Sequence, residues 1–188
     1  MIHPRTRVLE VSPDIGLGVF AAADLPRGTI TWAADPLDRV LTPAQIAAMP
    51  NAMARDLLDR YAWEDADGNY VLTWDNARFV NHSCAPNCIS SGFGFEIAVR
   101  DIAAGEELTN DYAELGLRED ETFNCLCGRP GCRGFIAPTD RQRMQPQWSS
   151  QVRQSLPEVF RVAQPLADLI PDSALHELRS SLKRVRAA

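Results

Sequence analysis

Three cysteines with the spacing C-x-C-x4-C constrain this chain more than any other feature. They are Cys125, Cys127 and Cys132, and the run CGRPGC between the last two is rich in the glycine and proline of tight turns. Such a turn brings three sulfur atoms to one point, which leaves a tetrahedral zinc ion one ligand short. The other cysteines are Cys84 and Cys88. We expect one of these two to supply the fourth thiolate and to tie the loop to a segment about 40 residues upstream.

A set of disulfides is the alternative to a metal. Five cysteines make an odd number, and the start MIHPRTRVLEV has no apolar core of a secretory signal peptide. Both observations favour a reducing compartment, in which cysteines at this spacing bind metal. We therefore expect a cytoplasmic protein that binds zinc.

Composition bounds the remaining classes. The chain has 188 residues and a formal net charge of -6, without the basic stripe of a nucleic-acid-binding surface. No apolar run approaches the roughly 20 residues of a membrane helix. Of nineteen basic residues only Lys183 is lysine, a bias that predicts a GC-rich, bacterial genome and leaves secretion into a host open. The acidity is compatible with a basic protein substrate, and we expect neither a nucleic acid nor a membrane as partner.

Three further motifs accompany the cysteines in a fixed order. GLGVFA begins at Gly16, NHSCAPNC begins at Asn81, and GEELTNDY ends at Tyr112. Together with C-x-C-x4-C they resemble the SET-domain protein-lysine methyltransferases with a post-SET zinc loop. The resemblance extends from about Val8 to Gly134. Each motif is weak alone, but their order and spacing make the match specific.

The resemblance implies both a fold and an activity. The fold is β-rich (α+β), with a C-terminal segment threaded through a preceding loop beside the active site. The activity is transfer of methyl groups from S-adenosylmethionine to the lysine side-chain amine of a protein substrate, such as a histone tail or another basic protein. In this family the cysteine of NHSC is the fourth zinc ligand, which leaves Cys88 as a small buried residue. The implied ligands are Cys84, Cys125, Cys127 and Cys132.

The resemblance also assigns the site residues. Tyr112 is the implied catalytic residue, whose hydroxyl lies near the sulfonium methyl and the incoming amine. A free phenol has a pKa of about 10, so Tyr112 is expected to orient these groups rather than to act as a base. We expect no dedicated base elsewhere in the chain. The implied cofactor-binding residues are Gly16, Leu17 and Gly18 through their main chain, Asn81 through its amide, His82 through its backbone, and Tyr112, Phe123 and Leu126.

Two positions depart from the family pattern. The position two before the tyrosine, often aromatic in the family, is Asn110 and is expected in the substrate channel. Because an amide is smaller than an aromatic ring, we expect di- or trimethylated product. The family's Y-x-G-E signature is absent, so the second aromatic wall of the channel has four candidates: Tyr61, Trp63, Tyr70 and Trp74. Arg78 and Glu107 are expected to form a structural ion pair.

The pattern predicts three regions. They are a SET domain at 1–117 with a helical insert at about 42–61, a post-SET zinc loop at 118–137 and a helical C-terminal extension at 138–188. Thr42 with Gln45 forms a capping box, with Pro43 at the first helical position. The extension is expected to lie outside the catalytic fold. A non-catalytic, zinc-stabilised binding module that has lost turnover is the alternative function.

Overall fold

The strands of the computed structural model are short and form four small sheets within the described residues, 1–65 and 67–187. The strands are β1 Thr6–Ser12, β2 Gly16–Ala21, β3 Ile30–Ala33, β4 Arg39–Leu41, β5 Ala62–Glu64, β6 Tyr70–Leu72, β7 Asn81–His82, β8 Cys88–Ser90, β9 Phe95–Ala98, β10 Glu107–Asn110, β11 Phe123–Asn124 and β12 Phe135–Ile136. The helices are α1 Pro43–Ala47, α2 Ala52–Tyr61, α3 Tyr112–Leu115, α4 Asp140–Ser155 and α5 Asp172–Ala187. The predicted strand-rich fold with some helices is confirmed.

One sheet brings three of the sequence motifs together. Its strand order is β1-β2-β10-β7, so the GLGVFA strand, the ELTN strand and the NH dipeptide are neighbours. β10 runs antiparallel to β2 and parallel to β7, with Thr109 opposite Asn81 and Asn110 opposite His82. The alternation of β2 buries Val19 and Ala21 completely. The register thus places Asn110, two residues before the predicted tyrosine, beside the NHSC segment.

The helical insert forms where the sequence predicts it. The Thr42 hydroxyl accepts a hydrogen bond from the Gln45 N–H, the Gln45 side-chain oxygen accepts one from the Thr42 N–H, and Pro43 is the first residue of α1. α2 begins after the cap Asn51 and buries Leu58 against the sheet β4-β6-β5. Each strand of that sheet is three residues long. β5, which follows the insert directly, is an edge strand of that sheet.

The C-terminal extension packs into the main core rather than outside it. Trp148 and Leu178 are 2% and 0% exposed, and they belong to the same buried cluster as Phe95 and Ile97 of β9. Gln164 adds polar contacts, since its Oε1 accepts from the Ile30 backbone at 2.8 Å. The apolar stripe of α4 needs a partner, and the face of the β3-β9-β8 sheet supplies it. No helix in the described part of the chain is long and apolar enough to cross a membrane.

We predict that Trp148→Ala lowers the free energy of unfolding by about 3–5 kcal/mol, because it leaves a large cavity between α4 and the sheet. Urea denaturation monitored by circular dichroism measures this change. Arg153→Ala, at an exposed position of the same helix, is the control and should change stability by less than about 0.5 kcal/mol. Equal effects of the two substitutions would show that α4 is an appendage.

Candidate metal centre and active site

Four of the five cysteines converge on one point. The Sγ atoms of Cys84, Cys125, Cys127 and Cys132 all lie within 4.8 Å of one another. Thiolates that bind zinc tetrahedrally at about 2.3 Å lie about 3.8 Å apart, and Cys84 Sγ is 3.6 Å from Cys125 Sγ. The fifth, Cys88, is buried elsewhere and donates to Asn87 Oδ1 at 3.4 Å. Burial raises the pKa of the Cys88 thiol, which stays neutral. The donor set and its spacing fit a zinc ion.

The backbone of the loop is arranged around these sulfurs. The Cys127 N–H donates to Cys125 Sγ and the Gly134 N–H donates to Cys132 Sγ, both at 3.4 Å. The short hairpin of β11 and β12 closes the loop, and the Cys125 N–H donates to the Gly134 carbonyl at 2.8 Å. Backbone N–H groups that point at sulfur favour the thiolate form, which is the form that binds metal.

Arg133 connects the cysteine cluster to the segment that carries the predicted tyrosine. Its Nη2 donates to both carboxylate oxygens of Asp111 at 2.7 Å, and its Nε and backbone N–H lie 3.4 Å from Cys84 Sγ. The side chains of Arg133 and Asp111 are 8% and 0% exposed. Asp111 also caps α3 by accepting from the Ala113 N–H. One buried ion pair thus joins the loop, the NHSC segment and the first turn of α3.

Three aromatic rings form a cluster at this junction. The ring centroids of His82, Tyr112 and Phe123 lie 5.2 to 5.8 Å apart. The Tyr112 hydroxyl donates to the Val80 carbonyl at 2.9 Å. Burial raises the pKa of Tyr112 to about 12, and the Glu107 carboxylate adds to this effect, so the phenol is protonated at neutral pH. Tyr112 is therefore a fixed hydrogen-bonding group.

His82 holds the backbone of Tyr112. Its Nδ1 accepts from the Tyr112 N–H at 3.2 Å. Burial, with a smaller contribution from Arg133, lowers the pKa of His82 to about 4, so the imidazole is neutral at pH 7. A neutral ring with an acceptor nitrogen toward the backbone orients the neighbouring residue and carries no proton to exchange there.

Asn81 joins β7 to the glycine-containing strand. Its Nδ2 donates to the Leu17 carbonyl at 2.9 Å and to Glu107 Oε1 at 2.8 Å. A Cβ at Gly18 would lie only 2.4 Å from Glu107 Oε1 and 2.6 Å from a methyl group of Val11, so a larger residue here would displace these side chains. Gly16 has a φ of +86°, and a Cβ there would meet nothing within 4 Å. The backbone at Gly16, next to the Leu17 carbonyl that Asn81 binds, therefore borders open space.

The expected ion pair of Arg78 with Glu107 is wrong. Arg78 Nη1 donates to the Trp74 carbonyl at 3.4 Å and its guanidinium stacks on Phe79, whereas Glu107 accepts from the Asn81 amide. The Asn81 amide satisfies the Glu107 carboxylate without a second charge.

The contacts described above bring the predicted cofactor-binding residues together in two groups. Leu17, Gly18 and Asn81 form one group, and His82, Tyr112 and Phe123 form the other. Leu126, in the cysteine loop, is 60% exposed.

A cleft of about 730 Å³ opens beside Tyr112. Among the candidates for its aromatic wall, Tyr61 and Trp63 line it, and Tyr70 accepts a hydrogen bond from Arg118 at its rim. Trp74 is largely exposed. Eight carboxylates line the cleft against four guanidinium groups. The acidic residues are Asp35, Asp38, Asp59, Glu64, Asp65, Glu96, Glu114 and Glu121. The cleft is therefore complementary to a cationic chain segment.

Asn110 lines this cleft, and its amide is engaged with a residue that sequence reasoning missed. Asn110 Nδ2 donates to Glu96 Oε1 at 2.9 Å. Glu96 is 9% exposed and lies in β9. Burial raises the pKa of Glu96 to about 7. The sequence did contain a signal for Glu96: it is the one charged residue in the otherwise apolar run FEIAV. Assigning this run to a strand does not by itself draw attention to that residue. The space beside Asn110 is thus polar and partly filled by Glu96. The number of methyl groups added, expected to be two or three, stays a prediction.

Comparison with known proteins gives one family and a set of fungal relatives. The family described as SET domain matches residues 16–113, slightly more than half of the chain. A histone-lysine N-methyltransferase, H3 lysine-4 specific, of Saccharomyces cerevisiae is 50% identical over 68 residues. Proteins of the same name from Schizosaccharomyces pombe and Candida albicans are 49% and 44% identical over 67 and 68 residues.

These matches cover only part of this chain and a small part of each relative. Each covers 32% of this chain and 6% or 7% of the relative. The likeness thus concerns a shared segment and not the whole length of those proteins. The relatives are fungal and give no support to the bacterial source expected from the composition.

We predict that Arg133→Met lowers the free energy of unfolding by about 3–5 kcal/mol, because it leaves the buried Asp111 carboxylate without its partner. Arg133→Lys keeps the charge and loses the bidentate contact, so an intermediate loss is expected. Arg129→Met, at an exposed position of the same loop, is the matched control. Urea titrations of the three variants measure the differences, and a loss no larger than that of the control would contradict the bridging role.

Proposed function

The chain belongs to the SET-domain family, and on that premise we propose that it is an S-adenosylmethionine-dependent protein-lysine N-methyltransferase. The observation that carries the proposal is the position of Tyr112. Its ring is fixed between His82 and Phe123, and it lines an acidic cleft. A buried, oriented phenol at the end of a cation-binding cleft suits a reaction that mainly needs alignment.

The cofactor is assigned to the side of the sheet where main chain borders open space. Gly16 and Leu17 would contribute backbone groups, because Gly16 leaves room for a close approach. Asn81 uses its amide N–H groups within the protein, so its carbonyl oxygen is the group it would offer. His82, Tyr112, Phe123 and Leu126 would complete the site. When bound, S-adenosylmethionine supplies the methyl group as an electrophilic sulfonium.

The protein substrate is assigned to the cleft. β5 is an edge strand and all three of its residues line the cleft, so an extended peptide can add to it as a further strand. Trp63 of β5 packs edge-on against Trp32 and forms a rigid wall. The excess of carboxylates attracts a basic peptide and directs its lysine toward Tyr112. This arrangement supports a lysine-containing basic segment as substrate class.

Zinc is assigned a structural role. Four thiolates close the coordination sphere of the ion, which leaves no open position for chemistry. Cys84 comes from the NHSC segment and the other three ligands come from the loop, so the ion would join the two. Phe123, two residues before Cys125, lies against Tyr112. Metal binding is thus expected to hold one wall of the cofactor site in place.

The chain's own residues have mainly orienting roles. The Tyr112 hydroxyl, held by the Val80 carbonyl, keeps its oxygen lone pairs available to an amine or a methyl C–H group. His82 and Asp111 fix the backbone on either side of the ring's attachment. Burial by Phe123 and the loop excludes water, which strengthens these weak contacts.

Transfer of an isotope-labelled methyl group to a panel of basic proteins tests the proposal. Label in lysine side chains, identified by mass spectrometry, is the expected result. Calorimetry of S-adenosylmethionine binding accompanies the assay. A wild-type protein that neither binds the cofactor nor labels any substrate, yet captures basic peptides, would favour the alternative of a non-catalytic binding module.

We predict one zinc ion per chain, bound by the four clustered cysteines. Cys84→Ser should remove most of the metal, because three ligands hold it far more weakly, whereas Cys88→Ser should retain it. Structural zinc in small sites contributes on the order of 10 kcal/mol of apparent binding free energy. Chelation should therefore release the loop that carries Phe123, and with it the activity should be lost. Metal analysis of the purified variants measures the content. Loss of metal from Cys88→Ser alone would contradict the assignment.

We predict that Tyr112→Phe cuts kcat at least tenfold while cofactor affinity changes little. The hydroxyl contacts one carbonyl in the resting protein, so its removal should act mainly in the transition state. Steady-state rates and calorimetry on the same preparation separate the two effects. An unchanged kcat, or a kcat and an affinity that fall together, would show that the hydroxyl does not align the reacting groups.

A further inference from the structure

Glu96 places a carboxylate in the wall of the same cleft that Tyr112 lines. It stands in the middle of the β3-β9-β8 sheet, opposite Trp32 and Ser90. The residue is 9% exposed. A carboxylate buried to this extent is costly unless a cation or several donors face it. Its retention in an otherwise apolar strand therefore points to a ligand that supplies positive charge.

The groups around this carboxylate leave acceptors without donors. Glu96 Oε1 accepts from Asn110 Nδ2 at 2.9 Å. Asn110 is 5% exposed, and its Oδ1 has no hydrogen-bond partner within the described part of the chain. A carboxylate and an amide oxygen side by side match an ammonium group, which has three N–H donors and no acceptor. The inner end of the cleft is thus built for a primary amine in its charged form.

We propose that Glu96 accepts the proton that the substrate lysine loses before methylation, and that Asn110 positions this carboxylate. The proposal rests on the lysine methyltransferase function proposed above. In the step, one N–H bond of the ammonium breaks and an O–H bond forms on Glu96. The electron pair of the broken bond stays on nitrogen, where it is free to take the methyl group. The proton leaves Glu96 for solvent through the cleft.

The Tyr112 phenol and the His82 imidazole do not fill this role. A lysine amine has a pKa of about 10.4 in water, so at neutral pH nearly all of it carries the extra proton. The Tyr112 phenol is protonated and donates to the Val80 carbonyl. His82 Nδ1 is occupied by the Tyr112 backbone N–H. A base is needed, and Glu96 lines the cleft where the amine would arrive.

The surroundings of Glu96 suit proton exchange near neutral pH. Burial raises its pKa to about 7, and the Glu114 carboxylate of α3 acts in the same direction, whereas the Asn110 hydrogen bond and then the Met1 ammonium act against both. On β8 the facing titratable group is the neutral thiol of Cys88. Burial raises the pKa of Glu114 itself, and Arg141 of α4 acts against this by favouring the charged carboxylate. A base whose pKa lies near the working pH is most effective, because it is both available and strong enough.

The test compares the pH dependence of kcat/KM, which reports the pKa values of the free enzyme, for wild type and Glu96→Gln on a lysine peptide. Wild-type kcat/KM should rise with pH and level off above about 7. Glu96→Gln keeps the size of the side chain and its acceptor for Asn110, and its kcat/KM at pH 7 should fall by about 10² to 10⁴-fold. Its rate should continue to rise at higher pH, where solvent removes the proton. Glu177→Gln, on the exposed face of α5, is the matched control.

A second peptide separates proton transfer from a structural effect. It carries S-aminoethylcysteine in place of lysine, whose amine is a weaker base and loses its proton more easily. The defect of Glu96→Gln should be smaller on this peptide than on the lysine peptide if the carboxylate removes the proton. A variant that is merely misfolded or misaligned would show the same defect on both peptides, and this result would overturn the proposal.

The outcomes also separate this role from the function on which it rests. Wild type that methylates lysine, with Glu96→Gln within twofold of it and with the same pH profile, would overturn the role of Glu96 and leave the proposed function intact. Absence of methylation by wild type on both peptides over the whole pH range would overturn both.

Discussion

The buried ion pair between Arg133 and Asp111 is the contact on which the arrangement of the site depends. The two side chains meet at 2.7 Å with almost no exposure to solvent, and each also binds a second element: Cys84 in one case and the first turn of α3 in the other. Because a buried charge without its partner costs several kcal/mol, neither element can move alone. The cysteine loop, the NHSC segment and Tyr112 therefore form one unit.

This unit explains how a structural metal would affect the proposed methyl transfer without taking part in the reaction. The proposed zinc ion would be bound by Cys84, Arg133 contacts the same sulfur, and Phe123 extends from the loop to the Tyr112 ring. Order in the loop is thus transmitted to the tyrosine through one ion pair and one aromatic contact. On the far side of Tyr112, the cleft is acidic and contains the Glu96–Asn110 pair. The cysteine loop and the acidic cleft thus meet at Tyr112, whose ring is held between His82 and Phe123.

The sequence predicted what short motifs encode and missed what depends on distant packing. The capping box at Thr42 follows from spacing, whereas the choice of Cys84 over Cys88 beside the loop cysteines follows from the resemblance to the SET-domain family, and the structure contains both features. The pairing of Arg78 with Glu107 was wrong because the Asn81 amide, brought close by the parallel register of β7 and β10, satisfies Glu107 first. Glu96 was missed because its burial depends on how separate strands pack: Trp32 of β3 lies opposite it and Asn110 of β10 donates to it.

Hydrogen exchange of the α3 backbone, measured by mass spectrometry before and after metal chelation, tests the central claim that the cysteine loop holds the tyrosine site. The Tyr112 N–H is bonded to His82 and the Ala113 N–H to Asp111, so both report the state of the bridge directly. We predict that metal removal speeds exchange in α3 as well as in residues 123–136. Faster exchange confined to residues 123–136, with α3 unchanged, would contradict the account.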